Sequence, residues 1–220
     1  MTAQLPLPLP AREALGREDY LVTAATAPVL AALDAWPRWP GGKALLTGPT
    51  GAGKSHLASV WAVKAGARVI SAVDVAEPLV PTLASGPLAV EDMEVAATRD
   101  GAGPALFHLH NLMAQSGVPL LMTAREGPAS WLGALPDLAS RAAQALRVPL
   151  PPPDDALLGA LAVKQFADRG LAPDPKVITW LLVHTERSAE AIRAAVARLD
   201  AAALAAKRPI TVPLARATLG

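Results

Sequence analysis

Gly48-Pro49-Thr50-Gly51-Ala52-Gly53-Lys54-Ser55 fits the pattern G-x-x-x-x-G-K-[S/T] without a mismatch. An apolar run, Ala44-Leu45-Leu46-Thr47, precedes it, and a helical pattern from Ser55 to about Ala65 follows. Strand, glycine-rich turn and helix form the context in which this pattern cradles phosphate. Glycine lets backbone N–H groups turn inward and approach phosphate oxygens closely. Lys54 is expected to reach the β and γ phosphates, and Ser55 to offer its hydroxyl to Mg²⁺. The helix start adds the positive end of its dipole to the same anion. The alternative is an ordinary glycine-rich strand–helix turn.

Beyond the loop, short apolar runs alternate with helical stretches. Arg68 to Val75 reads as a second strand, Leu88 to Val90 as a third, Pro119 to Thr123 as a fourth and Leu146 to Leu150 as a fifth. Helices are expected from Thr26 to Leu33 and from Ala105 to Ser116. This alternation predicts an α/β fold with a five-stranded parallel sheet covered on both faces. Pro151-Pro152-Pro153 ends the pattern, and the remainder reads as a small all-helical lid. Its helices open at Asp154-Asp155, at Pro173-Asp174-Pro175 and at Ser188, followed by an extended piece over Ile210-Thr211-Val212 and a final helical turn. The expected organisation is an extended leader over residues 1–18, an α/β nucleotide-binding part over 19–150 and a lid over 151–220.

A phosphate loop needs an acidic strand end to hold the water shell of its metal. Leu88-Ala89-Val90-Glu91-Asp92 supplies one. Glu91 is the expected metal-side carboxylate and Asp92 the expected water-polarising base. Asp74, at the end of the second strand, is a weaker choice, and a merely solvated acidic pair is the alternative reading.

Composition limits the classes of function. Of 220 residues, 52% are hydrophobic and only 4% aromatic, yet no uninterrupted apolar run approaches the roughly 18 residues of a spanning helix. Twenty Lys and Arg against nineteen Asp and Glu leave a net charge of +1, which argues against a surface built for nucleic acid. Cysteine is absent, so disulfides, thiolate metal sites and a Cys nucleophile are excluded. The N-terminus lacks a basic segment followed by an apolar one, and a cytoplasmic protein is expected.

From Gly53-Lys54-Ser55-His56-Leu57 onward the chain resembles the DnaA and DnaC branch of the AAA+ ATPases, in which a His-Leu pair follows the phosphate loop. Pro119 to Thr123 resembles the sensor 1 strand, with Thr123 at its polar tip. Leu135 to Arg141 resembles box VII, whose arginine is offered to a neighbour's nucleotide. The helices after Pro153 resemble the AAA+ lid, so that the likeness runs from Tyr20 to Gly220. The sequence ends after the lid, and a member without the DNA-binding domain of DnaA is expected. Gln4-Leu5-Pro6-Leu7-Pro8-Leu9 resembles the clamp-binding hexapeptide of the Hda family. Gln4 would bond at the mouth of an apolar pocket on the sliding clamp. Leu5, Leu7 and Leu9 would fill it, with Pro8 and its fellow prolines lowering the entropy lost. Read by itself, such a Leu/Pro tail is also compatible with a plain leader.

The resemblance implies a regulator with weak intrinsic ATPase at most. It would bind ADP or ATP with Mg²⁺, dock on the β-subunit clamp, meet DnaA and stimulate hydrolysis of DnaA's ATP. Over-initiation of replication would thereby be prevented. Arg141 would act in trans, Tyr20 and His56 would lie by the adenine nucleotide, and DNA would be reached only through the clamp. A homo-oligomer is compatible with this scheme, and no membrane role is expected. Three positions depart from the family pattern: Glu91 where Asp is usual, Arg125 after the sensor 1 tip, and Glu190 where the sensor 2 arginine should stand. Arg187 and Arg193 are helical neighbours of Glu190, and Arg193 is the cofactor-side candidate. A carboxylate near a γ-phosphate would be repulsive, so ADP is the expected nucleotide. The competing readings are a DnaC-like helicase loader and a small-molecule P-loop kinase. His108 and His110, on opposite sides of one helix, are not expected to share a metal.

Overall fold

The computed structural model describes residues 20–131 and 134–220. Gln4, Leu5, Leu7, Pro8 and Leu9 lie outside the described residues. The chain enters through α1 (Ala27–Asp34) and two 3-10 turns into β1 (Lys43–Thr47), then α2 (Lys54–Ala65) and β2 (Arg68–Ser71). A one-turn α3 (Val80–Leu83) leads to β3 (Leu88–Glu91), α4 (Ala102–Ser116) and β4 (Leu120–Ala124). After α5 (Pro136–Ala142) and β5 (Leu146–Pro149) come α6 (Asp155–Ala167), α7 (Pro175–His184), α8 (Ala189–Ala206) and α9 (Val212–Leu219).

The five strands form one parallel sheet in the order β2-β3-β4-β1-β5. Alternation along the strands divides the core between its faces. Leu45, Val90 and Met122 pack with Leu106, Leu109 and Met113 of α4 on one face. Ala44, Leu46 and Leu121 pack with Leu30 of α1 and Leu57 and Trp61 of α2 on the other. Trp39 and Trp61 stack there, with ring centroids 5.3 Å apart. Burial on both faces is why β1, β3 and β4 read as short continuous apolar runs.

The second strand is shorter than its apolar pattern predicts. It ends at Ser71, and Ala72–Asp74 form a 3-10 turn, because its only neighbour β3 stops at Glu91, the residue paired with Ser71. Asp74 therefore does not stand at a strand end, and it faces Arg99 at 3.8 Å instead. The predicted extended piece at the C-terminus is corrected as well. Val212 begins α9, with Thr211 as its cap and a proline in its first turn, where the fixed φ of proline favours a helix.

The lid has its own core of Leu158, Phe166, Val177, Leu181, Ile192, Val196 and Leu199. Its helices start where a side chain replaces the missing backbone acceptor. Asp154 accepts from the N–H of Leu157, Asp174 from that of Lys176 and Ser188 from that of Ala191. Each such cap contributes about 1 kcal/mol.

Candidate functional site

The phosphate loop leaves β1 at the C-terminal edge of the sheet, where ligands of open α/β folds bind. Gly51 and Gly53 adopt φ of +75° and +100°, a region costly for residues with a Cβ. Gly53 caps α2 without any side-chain bond, unlike the caps of α6 to α8. The first N–H groups of α2 thus keep no side-chain acceptor at the cap, as an anion site requires. Gly48 packs so tightly that an added Cβ would lie 2.5 Å from the carbonyl oxygen of Leu150.

Lys54 is buried, and its Nζ donates to the carbonyl oxygens of Gly48 at 2.8 Å and Pro49 at 3.0 Å. Burial pulls its pKa below the usual lysine value, against the opposing fields of Asp92, Glu94 and Glu91. The ammonium that the sequence assigns to the phosphates thus lies in the field of three carboxylates. Glu91 ends β3 half-buried, with Oε1 buried and unpartnered. Asp92 follows in an exposed left-handed turn at φ +55°, a conformation that Asp tolerates better than most residues. Its backbone N–H donates to Oγ1 of buried Thr123 at 3.1 Å, so the acidic strand end and the tip of β4 are joined. Ser55 is exposed in the first turn of α2.

Glu94 was not visible as a site residue in the sequence. The turn at Asp92 brings it back over β4, where its Oε1 accepts from the N–H of Arg125 and lies 3.5 Å from Nε of that residue. This contact accounts for the unexpected Arg125, which is held by a carboxylate beside the strand tip. The only hint in the sequence was a third acid two residues after Asp92.

The lid closes directly on the loop. The N–H of Ala189 points at the Gly51 carbonyl at 3.5 Å, and a Cβ at Gly51 would fall 2.3 Å from that of Ser188. The first turn of α8, with exposed Glu190, thus borders the phosphate loop. Arg187 is bound to Asp155 at 2.6 Å, whereas half-buried Arg193 makes no ion pair among the described residues. Tyr20 meets His56 edge-on at 5.3 Å and reaches within 4.0 Å of a Cβ built on Gly53. Gly51→Val should both clash with Ser188 and strain the loop, lowering stability by about 1–3 kcal/mol. Scanning calorimetry should record a fall in Tm of about 2–4 °C for each kcal/mol lost; an unchanged Tm would contradict this contact.

Arg141 stands elsewhere. It is exposed in the last turn of α5 and lines a pocket with Lys43, the first residue of β1. The loop leaves the far end of that five-residue strand, about 13 Å away at ~3.3 Å per residue. Arg141 is therefore not part of the phosphate site of its own chain. His108 faces Glu77 at 2.5 Å while His110 is buried, and His184 stacks on Trp180 at 4.3 Å. Among the described residues no group of three or more His, Cys, Asp or Glu could hold a metal ion, and no helix is long and apolar enough to cross a membrane.

A phosphate loop between β1 and α2, a parallel sheet of this order and a helical lid capped onto the loop define the AAA+ fold. Domain III of the replication initiation protein DnaA from Thermotoga maritima superposes with a TM-score of 0.80 at 18% identity, covering 96% of this chain and 98% of that one. RuvB, the Holliday junction branch migration motor of Thermotoga maritima, gives 0.68 at 17% identity, over 88% and 67% of the two chains. AMPPCP-bound DnaA from Aquifex aeolicus gives 0.67 at 18% identity; the match covers 83% of this chain but spans only 64% of that longer protein. Residues 154–219 match the family model described as Hda, lid domain, in agreement with the resemblance to the Hda family read from the sequence. No curated protein matches the chain.

Proposed function

We propose that the protein is an adenine-nucleotide-binding AAA+ regulator that docks on the DNA sliding clamp and stimulates ATP hydrolysis by DnaA. The observation that carries this reading is a lid that matches the Hda lid model joined to a body with a complete phosphate loop and the shape of DnaA domain III.

In this reading the loop N–H groups and Lys54 hold the phosphates of ADP or ATP, with Gly48, Pro49, Thr50, Gly51, Ala52 and Gly53 shaping the cradle. The oxygen donors fit Mg²⁺, which binds through one or two carboxylates plus phosphate oxygens. Ser55 and Glu91 would hold it, the orphaned Oε1 of Glu91 being the donor without a partner. Bound there, Mg²⁺ would neutralise charge on the phosphates. Asp92 would polarise water, a role supported by the bond that ties its backbone to Thr123. Tyr20 and His56 flank the loop on the nucleoside side. Arg193 is the sensor 2 substitute, since Arg187 is committed to Asp155. Glu190 beside the loop disfavours a γ-phosphate, which supports ADP as the resident nucleotide and a weak intrinsic ATPase.

The remoteness of Arg141 from its own loop supports action in trans, on the nucleotide of DnaA. Near-neutral charge supports contact with DNA only through the clamp. The test is ATP loss from DnaA, which the protein should accelerate only when clamp and DNA are both present. Clamp docking is assigned to Gln4, Leu5, Leu7, Pro8 and Leu9. In a pull-down on the clamp, the double change Gln4→Ala/Leu5→Ala should lower retention at least about tenfold, as loss of a buried anchor does. Equal retention would sink the clamp assignment.

A further inference from the structure

At the N-terminal edge of the sheet, opposite the phosphate loop, three chain segments meet around a cavity of about 130 Å³. Pro40 and Gly41 come from the turn before β1 and Lys43 is its first residue, His110 comes from α4, Arg141 from the last turn of α5 and Gln144 from just beyond it. Lys43 and His110 are only 7% and 4% exposed. Among the described residues neither ring nitrogen of His110 has a hydrogen-bond partner of ordinary geometry, the adjacent Asn111 side chain being a polar neighbour of note. Buried polar groups are nearly always satisfied, and an orphaned imidazole aimed into a cavity calls for a ligand.

The electrostatics point the same way. No carboxylate lines the cavity, and its charged groups are Lys43 and Arg141. Burial and the nearby Arg141 pull the Lys43 ammonium below its usual pKa, and burial with Lys43 pushes His110 down to about 4. Two cations and an imidazole converge with no carboxylate among the lining residues, an arrangement that an anion would relieve. A guanidinium fork, an ammonium and an imidazole N–H approach from three elements, matching the spread acceptors of a tetrahedral oxyanion better than the planar pair of a carboxylate. The cavity is far below the roughly 300–1,000 Å³ of sites for larger ligands, so it admits one small ion.

We propose that Lys43, His110 and Arg141 form a binding pocket for a single phosphate-class oxyanion. The pocket stands on its own geometry and does not depend on the role given to Arg141 above. The anion is free orthophosphate, which the small cavity admits as a single ion.

The test uses the full chain saturated with Mg-ADP, so that the phosphate loop is blocked. Inorganic phosphate is titrated at constant ionic strength against chloride, following the imidazole C–H signal of His110 by NMR, assigned by its loss in His110→Gln. Phosphate should move this signal and raise its titration midpoint from about 4. Lys43→Gln and the exposed Arg141→Gln should each weaken the effect about tenfold, the scale of one charge-assisted contact. Arg141→Gln keeps the test open if Lys43→Gln fails to fold. A signal indifferent to phosphate, or an equal shift in wild type and Arg141→Gln, overturns the proposal. The titration contains no DnaA, so its outcome is independent of the proposed function.

Discussion

Arg141→Ala is expected to lower the stimulated hydrolysis of DnaA-bound ATP by roughly 10³-fold or more, the scale of a lost arginine finger. The expectation follows from charge and position together. A guanidinium set against the γ-phosphate stabilises charge that develops only in the transition state, so its removal lowers rate rather than affinity. Arg141 is exposed and ends α5 beside Lys43, at the edge of the sheet opposite its own phosphate loop. The variant should therefore bind ADP with wild-type affinity and still be retained by the clamp. The measurement is single-turnover ATP loss from DnaA with clamp, DNA and either wild type or variant. Equal rates would remove Arg141 from the reaction. If the variant instead lost ADP binding, the separation of the two sites would be wrong.

Lys54→Ala should remove most nucleotide affinity. The ammonium is buried and donates to Gly48 and Pro49 within the loop, poised to turn onto phosphate oxygens. Charge-assisted hydrogen bonds contribute about 1.5–3 kcal/mol each, so ADP affinity should fall roughly 10- to 100-fold. Titration calorimetry reads this directly. Thermal denaturation gives a second view, because ADP at a hundred times the wild-type Kd should stabilise the parent by about 2.7 kcal/mol and the variant by far less. Unaltered ADP binding would contradict the phosphate-loop assignment. The folded state itself should be little harmed, since removing Lys54 also removes a buried charge and its desolvation cost.

The parts legible in the sequence are those governed by neighbours along the chain. The glycines and Lys54 form a contiguous loop, and the helix starts at Asp154, Asp174 and Ser188 are local capping events. Period and burial make the strands legible, most of all β1, β3 and β4, which are short, apolar and buried. Errors arose where a partner strand decided the outcome. Val73 and Val75 continue the apolar run of β2, but β3 offers no residue beyond Glu91 to pair with them. Spacing sets Arg187 and Arg193 each three residues from Glu190, and only the contact with Asp155, over thirty residues earlier in the chain, shows that Arg187 is held elsewhere.

The sequence by itself determined the phosphate loop, the acidic strand end, the α/β body and the helical lid, because each is written in short-range spacing and local propensity. Long-range contact decided the rest. It set Thr123 against Asp92, Glu94 against Arg125, and Ser188 against Gly51. It also carried Arg141 away from its own loop to meet Lys43 and His110, residues that no spacing relates. Parallel crossovers bring distant segments together at the two edges of one sheet, and whether a side chain lies at the loop edge or the opposite edge depends on strand order and direction.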